Sequence, residues 1–488
     1  PLYQRRFRSH FFIKLTEQDY NPGVDIMGEI LKAYMVPHPP VIVPEIGRGQ
    51  ENPAKSTIDA YEKIAKQIKD LAPETIIITT PHGIAYSDYI HIMPGKKLKG
   101  SFDDFNAPEV KFEFDNDTKL IEKITQEAFE CGIEAGTLGA RETGLDHGSL
   151  VPLYYIAKYY TDFSLVRISI SGLPLIQHYI FGNCIQKAVA AHDKNVVFIG
   201  SGDLSHRLKH DGPYGFAEEG PVFDNQLVEA VKNVDFKKML EIDEKLCNAA
   251  GECGLRSFAI LAGALNGRNV MSKVLSYEGP FGVGYMVAEL EPDEKDSARD
   301  LISYYESMHR SQVEAARESE DPYVSLARAA LEHYVKKRKV MDVPDNLPEE
   351  MLDRKAGVFV SIKKHGRLRG CIGTINPVTD NIANEIIQNA ISAGTSDPRF
   401  NPVKEYELKD LVYSVDVLGE PERIESMDQL DVKRYGVIVS SGYRRGLLLP
   451  DLEGVDTPEE QVEIALAKAN ISKDEDYILE RFEVIRHK

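Results

Sequence analysis

The sequence predicts an α/β fold, in which a mainly parallel sheet flanked by helices is followed by a smaller α+β unit. Over the first 290 residues, short runs rich in β-branched residues alternate with amphipathic stretches whose apolar residues recur every three or four positions. From about residue 321, one helical stretch is followed by strand-like runs and turns rich in Gly and Pro. The first pattern is typical of a parallel sheet, and the second favours an α+β unit.

The strand-like runs of the first part are short and mostly apolar. Three of them have the composition of strands buried on both faces: "ETIIITT" (74–80), "SLVRISI" (164–170) and "NVVFIGS" (195–201). A further run, "MGEILKAYMV", begins at Met27. Amphipathic periodicity predicts helices between these runs, at 56–72, 116–132 and 175–193.

Composition divides the chain into an N-terminal extension at 1–26, a first domain at 27–290, a helical linker at 291–320 and a second domain at 321–488. The linker is charge-dense and nearly free of Gly and Pro, which is typical of a solvated connecting helix. The first 26 residues are basic and aromatic but lack a long apolar core. We therefore expect an upstream extension rather than a signal peptide, with a docking arm as the alternative.

Charge and cysteine content exclude several classes of protein. The formal net charge of -19 and the pI of about 5.2 argue against a nucleic-acid surface covering the molecule. No run of about 18 apolar residues occurs, so no membrane span is expected. The five cysteines are sparse and form no CxxC motif, which favours reduced thiols and a cytoplasmic location. An acidic surface is also compatible with a homo-oligomer.

Three histidines follow apolar runs within a few residues: His38, His82 and His206. The carboxyl ends of parallel strands meet at one edge of a sheet, where ligands bind, so these imidazoles are expected at one rim. A fourth, His147, lies in "GLDHGSLVPLYY". Each histidine alone is better explained as a capped loop residue or a core residue with satisfied hydrogen bonds. The four together favour a site, and the prolines around His38 suit a ligand that is held still.

A carboxylate completes a predicted metal site. Glu252 lies between glycines in "AAGECGLRS", with Cys253 beside it. Two histidines and one carboxylate leave open positions on an iron ion, as in non-heme Fe(II) oxygenases. The same donors suit zinc or manganese, so residue types alone leave the metal open.

The motifs "PHPP", "TPHG", "DHGSLVPLYY", "SGDLSHR" and "GECGLRS" together resemble the class III (LigB-like) extradiol ring-cleavage dioxygenases, and more loosely the Memo-like proteins. The resemblance covers residues 30–290. It implies Fe(II) held by His38, His82 and Glu252, a small catecholic aromatic substrate and O2. It also implies that His206 is the acid/base that deprotonates the substrate and that His147 is a second acid/base.

The resemblance to Memo-like proteins implies a different third ligand. In those proteins a cysteine takes that position, and here Cys253 follows Glu252. Glu252 preserves the facial triad and is the expected ligand, whereas a thiolate would indicate a redox or copper-handling role. One alternative is a Memo-like, non-dioxygenase metal-binding protein that serves a radical-SAM partner, as the family-level association with radical-SAM proteins implies. The other is a hydrolase in which zinc or manganese activates water at the same ligands.

The second domain resembles the AMMECR-type domain through "LRGCIGTINP" (368–377), "DPRFNPV" (397–403) and "SGYRRGLLLPD" (441–451). Cys371 lies between glycines, and the nearby Arg369 would favour its thiolate. Arg399, Arg444 and Arg445 are candidates for an anion-binding groove. The alternative interpretation is a small apolar cysteine at a strand turn, with arginines paired to acidic neighbours.

Overall fold

The computed structural model describes residues 27–140, 144–452 and 454–488. The predicted extension at 1–26 lies outside the described residues. The chain forms two compact units that divide between Ile302 and Ser303. Within the predicted linker, 291–320, the structure has the end of a strand and one helix of 18 residues. No helix in the described part of the chain is both long and apolar enough to cross a membrane.

The first unit contains ten strands: β1 (Ile30–Val36), β2 (Thr75–Thr80), β3 (Ile90–His91), β4 (Lys97–Phe102), β5 (Ala107–Asn116), β6 (Ala135–Gly136), β7 (Ser164–Ser169), β8 (Val196–Ser201), β9 (Arg268–Glu278) and β10 (Tyr285–Lys295). Its helices are α1 (Pro44–Gly47), α2 (Lys55–Leu71), α3 (Thr118–Glu130), α4 (His147–Ala157), α5 (Leu175–Ala190), α6 (Glu219–Lys232), α7 (Phe236–Leu240), α8 (Glu244–Ala250) and α9 (Leu255–Gly263). Helix α10 (Leu301–Glu318) spans the division between the units.

Eight of these strands form one sheet in the order β4-β5-β7-β2-β8-β1-β10-β9. The central strands β5, β7, β2, β8 and β1 pair in parallel, and antiparallel strands flank them at both edges. The prediction of a mainly parallel sheet is therefore confirmed. Strands β1, β2 and β8 are neighbours, so their carboxyl ends lie side by side.

Both faces of the sheet are covered, which explains the apolar composition of the strands. In β2, Ile77 packs into one core while Ile76 and Ile78 pack into the other. Successive side chains of a strand point to opposite faces, so a strand covered on both faces needs apolar residues at every position.

Helices α5 and α9 approach each other closely at two glycines. A Cβ at Gly182 would lie 1.9 Å from the Ile260 carbonyl oxygen, and one at Gly263 would lie 1.8 Å from the Tyr179 carbonyl oxygen.

We expect Gly182→Ala to lower the free energy of unfolding by about 3 kcal/mol, because the helices must separate. Urea unfolding measures the change. The exposed Lys187→Ala on the same helix is the control and should stay within about 0.5 kcal/mol of wild type. A Gly182→Ala variant as stable as wild type would contradict the close packing of the two helices.

The second unit contains seven strands: β11 (Val358–Lys364), β12 (Arg367–Gly373), β13 (Leu411–Leu418), β14 (Glu422–Ile424), β15 (Tyr435–Ser441), β16 (Arg444–Leu448) and β17 (Ile478–His487). Its helices are α11 (Pro322–Lys337), α12 (Glu349–Asp353), α13 (Ile382–Thr395) and α14 (Pro458–Ala469). The sheet order is β12-β11-β13-β17-β15-β16, β14 pairs with β17, and all pairings are antiparallel. The α+β prediction for this unit is therefore confirmed.

A nearly buried ion pair in the second unit predicts sensitivity to acid. Burial alone would raise the pKa of Glu407, but hydrogen bonds from Arg369 and the Lys404 amide, together with the nearby positive charges, lower it to about 2. A carboxyl whose pKa is lower in the folded state stabilises the fold above its ordinary pKa of about 4.5, and this contribution disappears as the pH falls toward 2.

We therefore expect the thermal midpoint of wild type to exceed that of Glu407→Gln at pH 6, and the difference to shrink steadily below pH 4.5. Thermal unfolding of both proteins from pH 6 to below pH 4.5 measures this difference. Glu483→Gln removes the exposed partner of Arg434 and is the control, since exposed pairs contribute little. A difference that does not depend on pH would show that Glu407 acts by packing alone.

Candidate metal centre

Two predicted histidines lie together at the carboxyl edge of the large sheet. His38 follows β1 and His82 follows β2, and β8, which ends at Ser201, lies between these strands. Parallel strands present their carboxyl ends at the same edge, so residues distant in sequence meet there. The His38 Nε2 and His82 Nε2 atoms are 2.9 Å apart.

Cys253 completes a group of three potential ligand atoms. Its Sγ lies 3.7 Å from His38 Nε2, and the ligand atoms of His38, His82 and Cys253 all lie within 4.8 Å of one another. Among the described residues, this is the only group of three or more His, Cys, Asp or Glu side chains close enough together to hold a metal ion. Two imidazoles and a thiol are donors that zinc, copper and iron accept.

Ser201 determines the tautomer of His38. The Ser201 hydroxyl donates to the Gly148 carbonyl oxygen, so its single proton is already used. His38 Nδ1 lies 2.9 Å from the same Oγ and must be the donor in that contact. The proton of the neutral imidazole is therefore on Nδ1, which leaves the Nε2 lone pair directed at His82 and Cys253. This is the arrangement of a metal-ligating histidine held by an outer partner.

Burial keeps the histidines of the site neutral. Burial lowers the pKa of His38 to well below its usual value, and the neighbouring imidazoles of His82, His147 and His206 lower it further. The His82 side chain is exposed at the edge of the site, but desolvation of its ring by the surrounding residues, with a further contribution from His147, lowers its pKa to about 4. The pKa values of His147 and His206 are lowered by burial as well. Neutral imidazoles have a free lone pair, which metal binding requires.

Asp203 links the His38 and Cys253 segments. Its Oδ1 accepts a 2.8 Å hydrogen bond from the His38 amide, and its own amide donates to Cys253 Sγ at 3.3 Å. The Asp203 carbonyl oxygen accepts from the amides of Cys253 and Gly254. Burial raises the pKa of the Asp203 carboxyl to about 7. Asp203, two positions after the end of β8, thus holds the segments of two of the three potential ligands.

Glu252, the carboxylate expected to complete the site, is not part of this group. Its Oε2 accepts a 2.7 Å hydrogen bond from the Leu255 amide, so it caps the start of α9. The first amides of a helix have no partner within the helix, and a carboxylate there satisfies them. Neighbouring residues of this loop point in different directions, and Cys253 is the one that faces His38 and His82.

The two predicted acid/base histidines flank the group. The ring of His147, at the start of α4, lies with its centroid 4.0 Å from that of His82 and 5.4 Å from that of Phe105. His206 is half-buried, and its ring contacts Tyr214 edge-on at 5.2 Å. Each has an aromatic side chain next to it.

Sequence reasoning missed Ser201 and gave Asp203 no part in holding the ligands. Both follow the run "VVFIG" of β8, so the rule that located His38 and His82 at strand ends could have located them. Their contacts with His38 join residues more than 160 positions apart in sequence, and no local pattern indicates such pairings.

In the second unit, the arginines proposed for an anion groove each have an acidic partner. Arg399 pairs with Asp397, Arg444 with Glu475 and Arg445 with Glu480. Arg369, which was expected to favour the Cys371 thiolate, pairs with Glu407. This matches the alternative interpretation of the arginines. Arg399 also donates to the Cys371 carbonyl oxygen at 3.3 Å.

Residues 32–288 match the family model described as the catalytic LigB subunit of aromatic ring-opening dioxygenase. The chain belongs to the LigB family. Residues 324–487 match the AMMECR1 family, so a LigB domain is followed by an AMMECR1 domain. The candidate metal centre lies entirely within the LigB domain.

Known relatives of this LigB protein have uninformative names. A Clostridium acetobutylicum protein, named only Protein CA_C1420, is 48% identical over 463 residues, which cover 93% of this chain and 98% of that protein. A Thermotoga maritima protein is 52% identical over 171 residues, 35% of this chain and 98% of that protein. Among solved structures, the uncharacterized protein PH0010 from Pyrococcus horikoshii is 35% identical, with a TM-score of 0.33 and coverage of 35% of this chain and 90% of that one.

Proposed function

We propose that the LigB domain is a metal-dependent oxidoreductase whose single metal ion is held by His38 Nε2, His82 Nε2 and Cys253 Sγ. The convergence of these three atoms within 4.8 Å carries the proposal. The donor set fits a metal, because both imidazoles are neutral and Ser201 directs the lone pair of His38 toward the other two ligands.

Iron or copper suits a redox role at such a site, while zinc or manganese would indicate a hydrolase. Burial, and then the charge of Asp203, raises the pKa of the Cys253 thiol. A bound metal deprotonates a coordinating thiol outright, so the thiol proton is released on binding. When bound, a redox metal would supply electron transfer between a small aromatic substrate and O2.

The protein's own groups would handle the protons. We propose that His206 accepts a proton from a substrate hydroxyl and that His147 acts as the second acid/base. Both are neutral and half-buried beside the three potential ligands, which is the state that a proton acceptor needs. The rings of Phe105 and Tyr214 next to them suit a flat aromatic substrate such as a catechol.

A second candidate function is a metal-binding protein that is not a dioxygenase and serves a radical-SAM partner. The thiol in the ligand group favours it, since a facial triad of two histidines and one carboxylate is the usual donor set of Fe(II) oxygenases. The two candidates share the ligands and differ in the use of O2.

Metal analysis of protein purified without oxygen, followed by oxygen-electrode assays with catechols, tests the proposal. We expect about one redox metal per chain in wild type, loss of it in His82→Ala, and O2 uptake with at least one catechol. His210→Ala replaces an exposed histidine and is the control, which should keep the metal. Full metal in His82→Ala would refute the ligand set. Metal without O2 uptake would favour the second candidate, and zinc or manganese the hydrolase.

A further inference from the structure

An open cavity lies in the LigB domain between α3 and the loop that joins β3 to β4. Its volume is about 510 Å³, which is enough for a small organic molecule. One of its lining residues, Asn116, ends β5 and pairs with Leu165 at the amino end of β7. The metal centre lies at the carboxyl ends of the parallel strands, so the cavity is a separate place in the domain.

Asn116 brings a buried acceptor without a partner to this cavity. The residue is only 8% exposed, and its Nδ2 donates to the carbonyl oxygens of Met93 at 3.0 Å and Gly95 at 2.9 Å. These two bonds fix the orientation of the amide, because the opposite orientation would place Oδ1 against two other acceptors. Oδ1 is buried and has no hydrogen-bond partner among the described residues. An unpaired buried acceptor costs free energy, so a donor from a ligand would stabilise it.

The helix side of the cavity adds further acceptors and an apolar wall. The Thr125 hydroxyl donates to the Ile121 carbonyl oxygen at 2.8 Å, so its proton is already used and its oxygen can only accept. Glu122 adds an exposed carboxylate, and no Lys, Arg or His side chain is among the described lining residues. Ile121 and Phe129 form the apolar part, and Phe129 is 70% exposed. The wall therefore favours a ligand that donates hydrogen bonds and has apolar surface.

We propose that this cavity binds a small primary ammonium ion carried on an apolar body. The ammonium donates to Asn116 Oδ1, Thr125 Oγ1 is a second acceptor in the wall, and the Glu122 carboxylate offsets the positive charge. The apolar body packs against Ile121 and Phe129. An anionic ligand would find no counter-ion among these residues. The net charge of -19 also raises the local concentration of cations at the surface.

Two matched ligands test this site in the full-length protein. The 2-phenylethylammonium ion and its N-trimethyl derivative have the same ring and the same charge, but only the first has N–H donors. Titrations followed by saturation-transfer NMR of the ligand measure both dissociation constants. We expect the primary ammonium to bind about tenfold more tightly or better, because the trimethyl derivative loses the charge-assisted hydrogen bond to a buried acceptor. General attraction to an acidic surface acts on both ligands alike.

Two variants of the wall locate the binding. Phe129→Ala and Glu122→Gln change exposed residues, so both proteins should fold, and each should weaken binding of the primary ammonium by about threefold. Glu127→Gln removes a charge from α3 outside the wall and is the control, which should bind as wild type does. Equal affinities for the two ligands, or wild-type affinity in both wall variants, would mean attraction to the acidic surface alone and would overturn the proposal.

Discussion

Replacing Cys253 with alanine is expected to abolish stoichiometric metal binding, whereas Glu252→Gln keeps it. The Cys253 sulfur lies with His38 and His82, while the Glu252 carboxyl is engaged by the Leu255 amide. A glutamine can still accept that hydrogen bond, so Glu252→Gln should preserve the start of α9. Metal content of both variants, purified without oxygen, gives the result.

The Glu252→Gln variant serves as the matched control, because it changes the adjacent residue and removes a negative charge without shortening the side chain. Metal lost in Glu252→Gln and retained in Cys253→Ala would restore the facial triad of two histidines and one carboxylate. It would also make Fe(II)-dependent ring cleavage the leading function. Loss in both variants would mean that the loop as a whole holds the site, and thermal unfolding of the metal-free variants would then show whether α9 is intact.

Ser201→Ala is expected to weaken metal affinity by about 10- to 100-fold, the range found when outer partners of ligating histidines are removed. Without the hydroxyl, His38 Nδ1 loses its acceptor, and the imidazole proton is free to occupy Nε2, the nitrogen that faces His82 and Cys253. Titration of metal-free protein against a competing chelator measures the affinity.

Ser171→Ala is the control for this prediction. Ser171 is as buried as Ser201 and its hydroxyl also contacts a histidine, His178, but this histidine lies outside the metal centre. We expect the metal affinity of Ser171→Ala to equal that of wild type. If both serine variants bind metal equally well, Ser201 contributes only to packing, and the tautomer of His38 is set by another group.

Much of the fold could be predicted because its causes are local. Apolar strands such as β2 and β8 are covered on both faces, and that requirement is visible in "TIIITT" and "VVFIGS". The change near residue 321 to a helix followed by strands and turns likewise indicated the α+β unit. The edge strands were less evident, because β4 and β9 mix polar residues such as Lys97 and Lys273 with apolar ones such as Met271 on their exposed positions.

The sequence by itself determined that His38 and His82 stand at the ends of parallel strands, because the period and composition of each run are local properties. Only the tertiary structure decided that β1, β8 and β2 are neighbours, that Ser201 sets the tautomer of His38, and that Cys253 rather than Glu252 faces the histidines. Which of two adjacent side chains turns inward depends on the local backbone and on competing partners. Here the unpaired amides at the start of α9 engage the carboxylate and leave the thiol for the site.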